Sequence, residues 1–217
     1  TPLSGIKWLI ETMQVGRLGP LAPRQQAYLE RIHEITDRMI RLVFEMLNVL
    51  RLEDRTVRSR SEVVSLPAVF ADLRTVVEPE MARRGVRLEV VPALSVPLSL
   101  RTDSEILKTI LQCFLTNAAD YSKSGRKVRL TVRDQWSAVV FSVQDFGIGI
   151  PQDEQARIFK RFSRGSNAKA HKPDGTGLGL YIAAMLAGKI GGKVGFTSRE
   201  GRGSTFFVRV PKGRAPR

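Results

Sequence analysis

The 217-residue chain has one cysteine, and aromatic residues make up only 7% of it. With a single thiol, Cys113, no internal disulfide can form, and a reducing compartment suits the chain. No apolar run reaches membrane-spanning length, and the N-terminus lacks the basic, apolar and small-residue succession of a signal peptide. Acidic residues are scarce as well: 21 Asp and Glu stand against 35 Lys and Arg, a net charge of +14. Such a charge can serve a nucleic-acid or membrane-surface partner. The cations are spread over 51–60, 126–133, 157–172 and 212–217, however, and none of these stretches interleaves with stacking aromatics. A solvated basic surface is the better reading, and no nucleic-acid partner is expected. An acidic protein or phosphate groups could use the same charge.

What is present is ordinary for a folded soluble protein: 42% apolar and 26% charged residues, in a chain long enough for one good core and an appendage. The first part is helical. From Tyr28 the apolar positions Tyr28, Ile32, Ile35, Met39, Leu42, Met46 and Val49 alternate steps of four and three, the 3.5-residue repeat of a helical bundle. A second stripe, Leu29, His33, Thr36, Ile40, Val43, Leu47 and Leu50, runs beside it. A helix with two stripes must bury two faces. Leu3, Ile6, Ile10 and Met13 repeat the pattern upstream, and "GRLGPLAP" at 16–23 separates the two helices. The spacing therefore predicts an antiparallel helical hairpin. It forms half of a dimeric four-helix bundle if a second chain covers the remaining face. Packing of the stripes on the rest of the same chain is the competing arrangement.

Beyond a charged linker at 51–62 the periodicity changes. "EVVSL" reads as a strand, "PAVFADLRTVVEPEMARR" as a helix opened by Pro67, and "VRLEVV" as another strand. "TDSEILKTILQCFLTNAADYS" reads as an amphipathic helix opened by a capping box of Thr102 and Glu105. "KVRLTVRD" and "WSAVVFSVQD" alternate like paired strands. "GLGLYIAAMLAGKIGG" is a helix closed by glycines, and "KVGFTSREGRGSTFFVRVP" is a hairpin around Gly201 and Gly203. The fold class is α+β: the helical hairpin at 1–55, then at 62–213 a two-layer α/β sandwich with helices on one face of a mixed sheet.

The sandwich holds the chemistry. One helix carries Asn117, Tyr121 and Ser122, and a strand delivers Asp145 into "DFGIGIP". "RIFKRFSRG" follows, then a polar, lid-like loop, then "DGTGLGLYI" at the start of a helix. An Asp at a strand end can accept the exocyclic amine of adenine. Gly147, Gly149, Gly175, Gly177 and Gly179 allow tight turns and close backbone approach. A glycine run that opens a helix can turn its amides toward phosphates. Asn117 offers a neutral oxygen to a magnesium ion that arrives with phosphate and water. Asp145-Phe146-Gly147 also matches the metal-binding triplet of eukaryotic-type protein kinases. No upstream Gly-rich loop, β3 lysine or HRD loop accompanies it, so the triplet is coincidental.

In order and spacing these segments resemble the catalytic core of a bacterial sensor histidine kinase, with the ATP-binding fold shared by gyrase, Hsp90 and MutL. The 103–122 helix resembles the N box, "DFGIGI" the G1 box, "RIFKRFSRG" the F box, "DGTGLGL" the G2 box, and "GRGSTFFVRVP" the last strand. "TPLSGIKWLIETM" resembles the start of the dimerization and phosphotransfer segment, just after its H box. The resemblance implies Mg-ATP as cofactor, with Asp145 on adenine, Asn117 on Mg2+ and Tyr121 over the nucleotide. It implies Gly147, Gly149, Ile150, Gly175, Thr176, Gly177, Leu178, Gly179, Leu180 and Thr205 around the ligand. Phe159 and Phe162 would anchor the lid, and Arg161, Arg164, Lys169 and Lys172 are candidates for phosphate contacts. The acceptor histidine is expected upstream of Thr1. Thr1 itself matches the position proposed to orient water for dephosphorylation. His33 reads as a bundle-face side chain and His171 as an exposed one. Cys113 stands where the family often has a second Asn, and Asp120 where it frequently has Lys.

The implied function is a two-component sensor kinase, a homodimer that passes a phosphoryl group from ATP through histidine to an aspartate of a response-regulator receiver domain. It would sit in the cytoplasm, alone or as the cytoplasmic part of a membrane-anchored sensor. A nucleotide-gated binding module without transfer and a DNA-associated ATPase are the alternatives.

Overall fold

The computed structural model describes residues 2–16, 19–53, 59–92, 99–123 and 125–212. The chain divides into two compact units, Thr1–Glu53 and Asp54–Arg217.

The first unit consists of α1 (Pro2–Gln14) and α2 (Pro23–Glu53). Lys7 Nζ donates to Asp37 Oδ1 at 2.8 Å, and Gln14 Oε1 lies 3.2 Å from His33 Nδ1. Later residues of α1 thus meet earlier residues of α2, and the pair is antiparallel. α1 covers the second stripe of α2 near its start: Leu29 and Thr36 are buried, as is Ile10 of α1. With 13 residues α1 is about 20 Å long, against about 46 Å for the 31 residues of α2. Val43, Leu47 and Leu50 are accordingly exposed within the unit. So are Tyr28, Ile32, Ile35, Met39, Leu42 and Met46 of the first stripe. His33 is tied into the hairpin by Gln14 and by Asp37, 3.5 Å away.

In the second unit, β1 (Glu62–Ser65) pairs antiparallel with β3 (Ser99–Thr102). The main sheet has the order β2-β4-β5-β7-β6, formed by Arg87–Pro92, Lys127–Gln135, Ala138–Gln144, Gly203–Pro211 and Lys193–Arg199. β2 and β4 are parallel and the other pairs antiparallel, so the sheet is mixed as expected. Alternate residues of each central strand are buried. In register, Val90, Leu130, Val143, Phe206 and Phe196 make one row across the sheet. Val132, Phe141, Val208 and Val194 make the next.

Three helices supply the other layer: α3 (Leu66–Arg83), α4 (Ser104–Tyr121) and α6 (Gly179–Lys189). α3 buries Leu66, Val69, Leu73, Val77 and Met81, a stripe at helical spacing. α4 buries Ile106, Leu107, Ile110, Leu111, Phe114, Leu115, Ala118 and Ala119. Phe114 packs tilted on Phe206 at 5.8 Å between centroids, Phe206 stacks on Phe196 at 6.0 Å, and Phe196 meets Phe159 at 5.9 Å. This aromatic chain runs from α4 through the sheet to the segment after Gly149.

The expected capping box is displaced by one residue. Thr102 ends β3, and Asp103 is the N-cap, its Oδ1 accepting from Ile106 N at 3.0 Å. Its other oxygen accepts from Arg60 N at 2.7 Å, so one carboxylate closes two orphan amides. Glu105 pairs with Lys108 instead. Strand β3 and the short helix α5 (Ser166–His171) were not anticipated. Phe206→Ala should cost about 3–5 kcal/mol of stability, because it empties the centre of the aromatic chain. The shift of a urea unfolding midpoint, followed by circular dichroism, measures it.

Candidate functional site

Asp145 stands at the end of β5 and is 4% exposed. Its Oδ1 accepts from Gly147 N at 2.9 Å and from Ser204 N at 3.1 Å, while its own amide donates to Ser204 O at 2.8 Å. Burial pushes the carboxyl above its ordinary value, and the two amide bonds only partly oppose it. Both of these side-chain bonds fall on Oδ1, so among the described residues Oδ2 remains available as an acceptor.

The glycines bring the surrounding backbones to van der Waals limits. A Cβ on Gly147 would lie 1.9 Å from the carbonyl oxygen of Tyr121, the last residue of α4. A Cβ on Gly149, whose φ is +62°, would meet Arg199 O at 2.1 Å, and one on Gly203, at φ +97°, would meet Asp145 O at 2.2 Å. Ile148 N donates to Tyr121 O at 3.2 Å, and Ile150 N to Ser198 Oγ at 2.9 Å. The 145–150 loop is therefore clamped between the end of α4 and the β6–β7 hairpin.

The second glycine run faces the same helix. A Cβ on Gly179, the first residue of α6, would lie 3.2 Å from Cys113 Sγ. Cys113 in turn is 3.8 Å from Asn117 Nδ2. Cys113, Asn117 and Tyr121 are spaced four apart on one face of α4. That face has Gly147 at one end and Gly179 at the other. The structure thus brings Asn117, Tyr121 and Asp145 to one side of α4, with Gly147 and Gly179 against that helix, while Gly149 and Ile150 are held by the β6–β7 hairpin. Leu178 is fully buried beneath α6, and its amide lies 3.3 Å from Thr176 Oγ1. Leu180 is the second residue of α6.

Among the described residues no group of three or more His, Cys, Asp or Glu could hold a metal. With its amide nitrogen turned to Cys113, Asn117 can present its oxygen. That donor suits a magnesium ion carried in on a ligand's phosphates rather than a resident ion.

The segment between the glycine runs departs from expectation. Phe159 packs on Phe196, but Phe162 is 57% exposed at φ +58° and does not anchor the lid to the body. Arg164 is engaged by the chain itself. Its guanidinium donates to Pro173 O at 2.8 Å, to Ala168 O at 3.0 Å and to Lys172 O, and it faces the Tyr121 hydroxyl. A Cβ on Gly175 would lie 3.0 Å from that guanidinium, and one on Gly177, at φ +73°, would meet Phe162 C at 2.8 Å. The G2 turn is folded onto Arg164, so Arg164 is a loop organiser and not a free phosphate contact. Arg161 lies over the Tyr181 ring at 5.1 Å. Lys172 donates to Asp120 Oδ2 at 2.6 Å, and exposed Lys169 projects from α5.

Thr205 is also displaced. β7 alternates, and Phe206 faces α4, so Thr205 falls on the opposite face of the sheet. Ser204 is the residue beside Asp145. Ser204 meets Asp145 through its main chain, its hydroxyl lying on Ser198 Oγ, so no side-chain signal in "GSTF" marked it. Thr1 lies outside the described residues.

Because its folded-state pKa is raised, Asp145 favours the fold only at pH below the ordinary carboxylate value. That contribution is lost as pH rises through the raised value. Asp145→Asn keeps an acceptor for the two amides and removes the buried charge. At pH 7 its melting temperature without ligand should equal or exceed that of the parent protein, which differential scanning fluorimetry checks.

Comparison with known proteins agrees with this geometry. The histidine kinase-, DNA gyrase B-, and HSP90-like ATPase family matches residues 102–214, more than half of the chain. The aerobic respiration control sensor protein ArcB of Escherichia coli (strain K12) is 32% identical over 212 residues, 97% of this chain and 27% of that protein. The sensor histidine kinase AruS of Pseudomonas aeruginosa is 31% identical over 214 residues, 97% of this chain and 21% of that protein. The chain thus spans about a quarter of the length of these relatives. Among solved structures, full-length ShkA in complex with AMPPNP superposes with a TM-score of 0.79 at 27% identity, over 100% of this chain and 44% of that one. The Acinetobacter baumannii histidine kinase AdeS gives 0.69 at 17% identity over 99% and 96%, a likeness of fold. With the clamped glycine loops and the buried strand-end carboxylate these place the protein plainly: it belongs to the histidine kinase-, DNA gyrase B-, and HSP90-like ATPase family.

Proposed function

We propose that the second unit binds Mg-ATP and that the chain is the kinase core of a two-component sensor. The observation that carries this reading is Asp145. A carboxylate this buried, with Oδ1 held by two amides and Oδ2 unclaimed, suits an amine donor such as the exocyclic amine of adenine. Asn117 would present its oxygen to the magnesium that accompanies the phosphates, and Tyr121 would border the ligand. Amides of the Gly175–Leu178 turn and the start of α6 would receive phosphate oxygens. Magnesium would supply charge neutralisation at the phosphates. Phosphoryl transfer of this kind demands positioning and electrostatic stabilisation more than covalent chemistry from the protein.

In the complete protein the γ-phosphoryl would pass to a histidine and then to an aspartate of a receiver domain. The names of the sensor-kinase relatives support this. No helix among the described residues is long and apolar enough to cross a membrane. The Mg-ATP reading places this portion in the cytoplasm, where that nucleotide is available. The exposed part of the first stripe of α2, from Tyr28 to Met46, is the surface through which two chains would complete a four-helix bundle.

Isothermal titration with ATP in the presence of magnesium should give a one-site isotherm, and Asp145→Asn should abolish it while remaining folded. An unchanged isotherm in Asp145→Asn would remove the adenine assignment. Asn117→Ala should weaken binding about 10-fold or more, and only when magnesium is present, as expected for a lost ligand to a phosphate-bound ion. For the helical unit, Ile35→Asp with Met39→Asp should convert a dimer to a monomer by sedimentation velocity.

A further inference from the structure

Between the G1 and G2 glycine runs lies a strap, residues 165–173, tied at both ends. At its start Ser166 N donates to both oxygens of Glu154, at 3.1 and 2.9 Å, and Asn167 Nδ2 donates to Gly149 O at 3.0 Å. At its end His171 Nε2 lies 3.1 Å from Asp120 O, and Lys172 Nζ donates to Asp120 Oδ2 at 2.6 Å, while Arg164 holds the carbonyls of Ala168, Lys172 and Pro173. The strap therefore bridges from the 145–150 loop to the last turn of α4, on the two sides of the site.

Asp120 holds a second cation. Arg84, at the end of α3, lies 2.7 Å from Asp120 Oδ1 and is braced by Glu80 at 2.9 Å. The Asp120 side chain is only 12% exposed. Leaving it without a cation would carry the penalty of an unpaired, largely desolvated charge. With Arg84 fixed to Oδ1, Lys172 can leave Oδ2 and Asp120 stays paired. One carboxylate thus has a permanent partner from the body and a releasable one from the strap. The releasable partner is also the strap's link to an acidic group at a site assigned to phosphates.

We propose that Asp120 is a positioning residue that latches the 165–173 strap through Lys172, and that incoming nucleotide phosphates compete with Asp120 for this lysine. The competition rests on the Mg-ATP reading above; the latch itself does not.

The two halves are separable by experiment. In ligand-free protein, amide hydrogen exchange of residues 166–173, read by mass spectrometry, should quicken about 2- to 5-fold in Asp120→Asn and in Lys172→Met, the range of a partly exposed ion pair. The double variant should exchange no faster than either single one. Lys172 is at the surface, and the side-chain amide introduced by Asp120→Asn still offers Arg84 an acceptor, so both variants should fold. With trinitrophenyl-ATP and magnesium, the affinities should move in opposite directions. Asp120→Asn should bind more tightly because the lysine is released, and Lys172→Met more weakly because it is absent. Unchanged exchange in Lys172→Met, or additive exchange in the double variant, would overturn the latch even if nucleotide binds. Weaker binding by both variants would overturn the competition and leave Asp120 a structural brace.

Discussion

The second unit is organised around the desolvated carboxylate of Asp145. A buried charge is tolerated only where hydrogen bonds replace lost water, and here two main-chain amides do so through one oxygen. Those amides belong to Gly147, in the loop that follows, and Ser204, at the start of β7. Satisfying Asp145 therefore fixes the loop against the sheet. The same bonds do not fully offset burial, since the carboxyl remains above its ordinary value. The site without ligand retains an electrostatic cost that a hydrogen-bond donor at Oδ2 would lower. The fold tolerates this residue; the binding reading explains why a carboxylate is there.

From that constraint the glycines follow. Asp145 O lies where a Cβ of residue 203 would be, and Tyr121 O where a Cβ of residue 147 would be. Any side chain at either position would drive β7 off β5, or the loop off α4. Backbone interlocking at these points makes the floor and walls of the site one rigid piece, joined by the aromatic chain from Phe114 to Phe159. Pocket geometry and core packing are here the same set of contacts.

Elements with strong periodicity were legible in the sequence: both helices of the hairpin, α3, α4 and the strands with alternating burial. The four glycine- and asparagine-bearing segments were legible because their order is unusual. Features decided by tertiary competition were not. Thr102 with Glu105 and Asp103 alone are both valid cap patterns, and the second prevailed because Asp103 also receives the Arg60 amide. Strand β3 is only four residues long and has a single antiparallel partner, β1. α5 is a one-and-a-half-turn helix held by Glu154 and Arg164, neither of which is within it. Thr205 and Ser204 differ by one step of a period-two strand, and only the register shows which faces the helices. Phe162 reads as a core residue by type, yet its φ of +58° turns it to the surface.

The basic composition also has a local meaning that counting charges hides. Around the site the cations are mostly engaged: Arg164 by three carbonyls and Tyr121, Arg161 by the Tyr181 ring, Arg84 and Lys172 by Asp120. A bound polyphosphate would therefore find backbone amides and the exposed Lys169 first. Among these engaged cations, further positive charge must be released from an existing partner. Arg164 cannot be released without unfastening the carbonyls of 168, 172 and 173, beside the turn that carries Gly175 and Gly177. Lys172 can be, because Arg84 remains behind. In a chain with a large excess of cations, the acidic residue at 120 thus decides which of them is free to move.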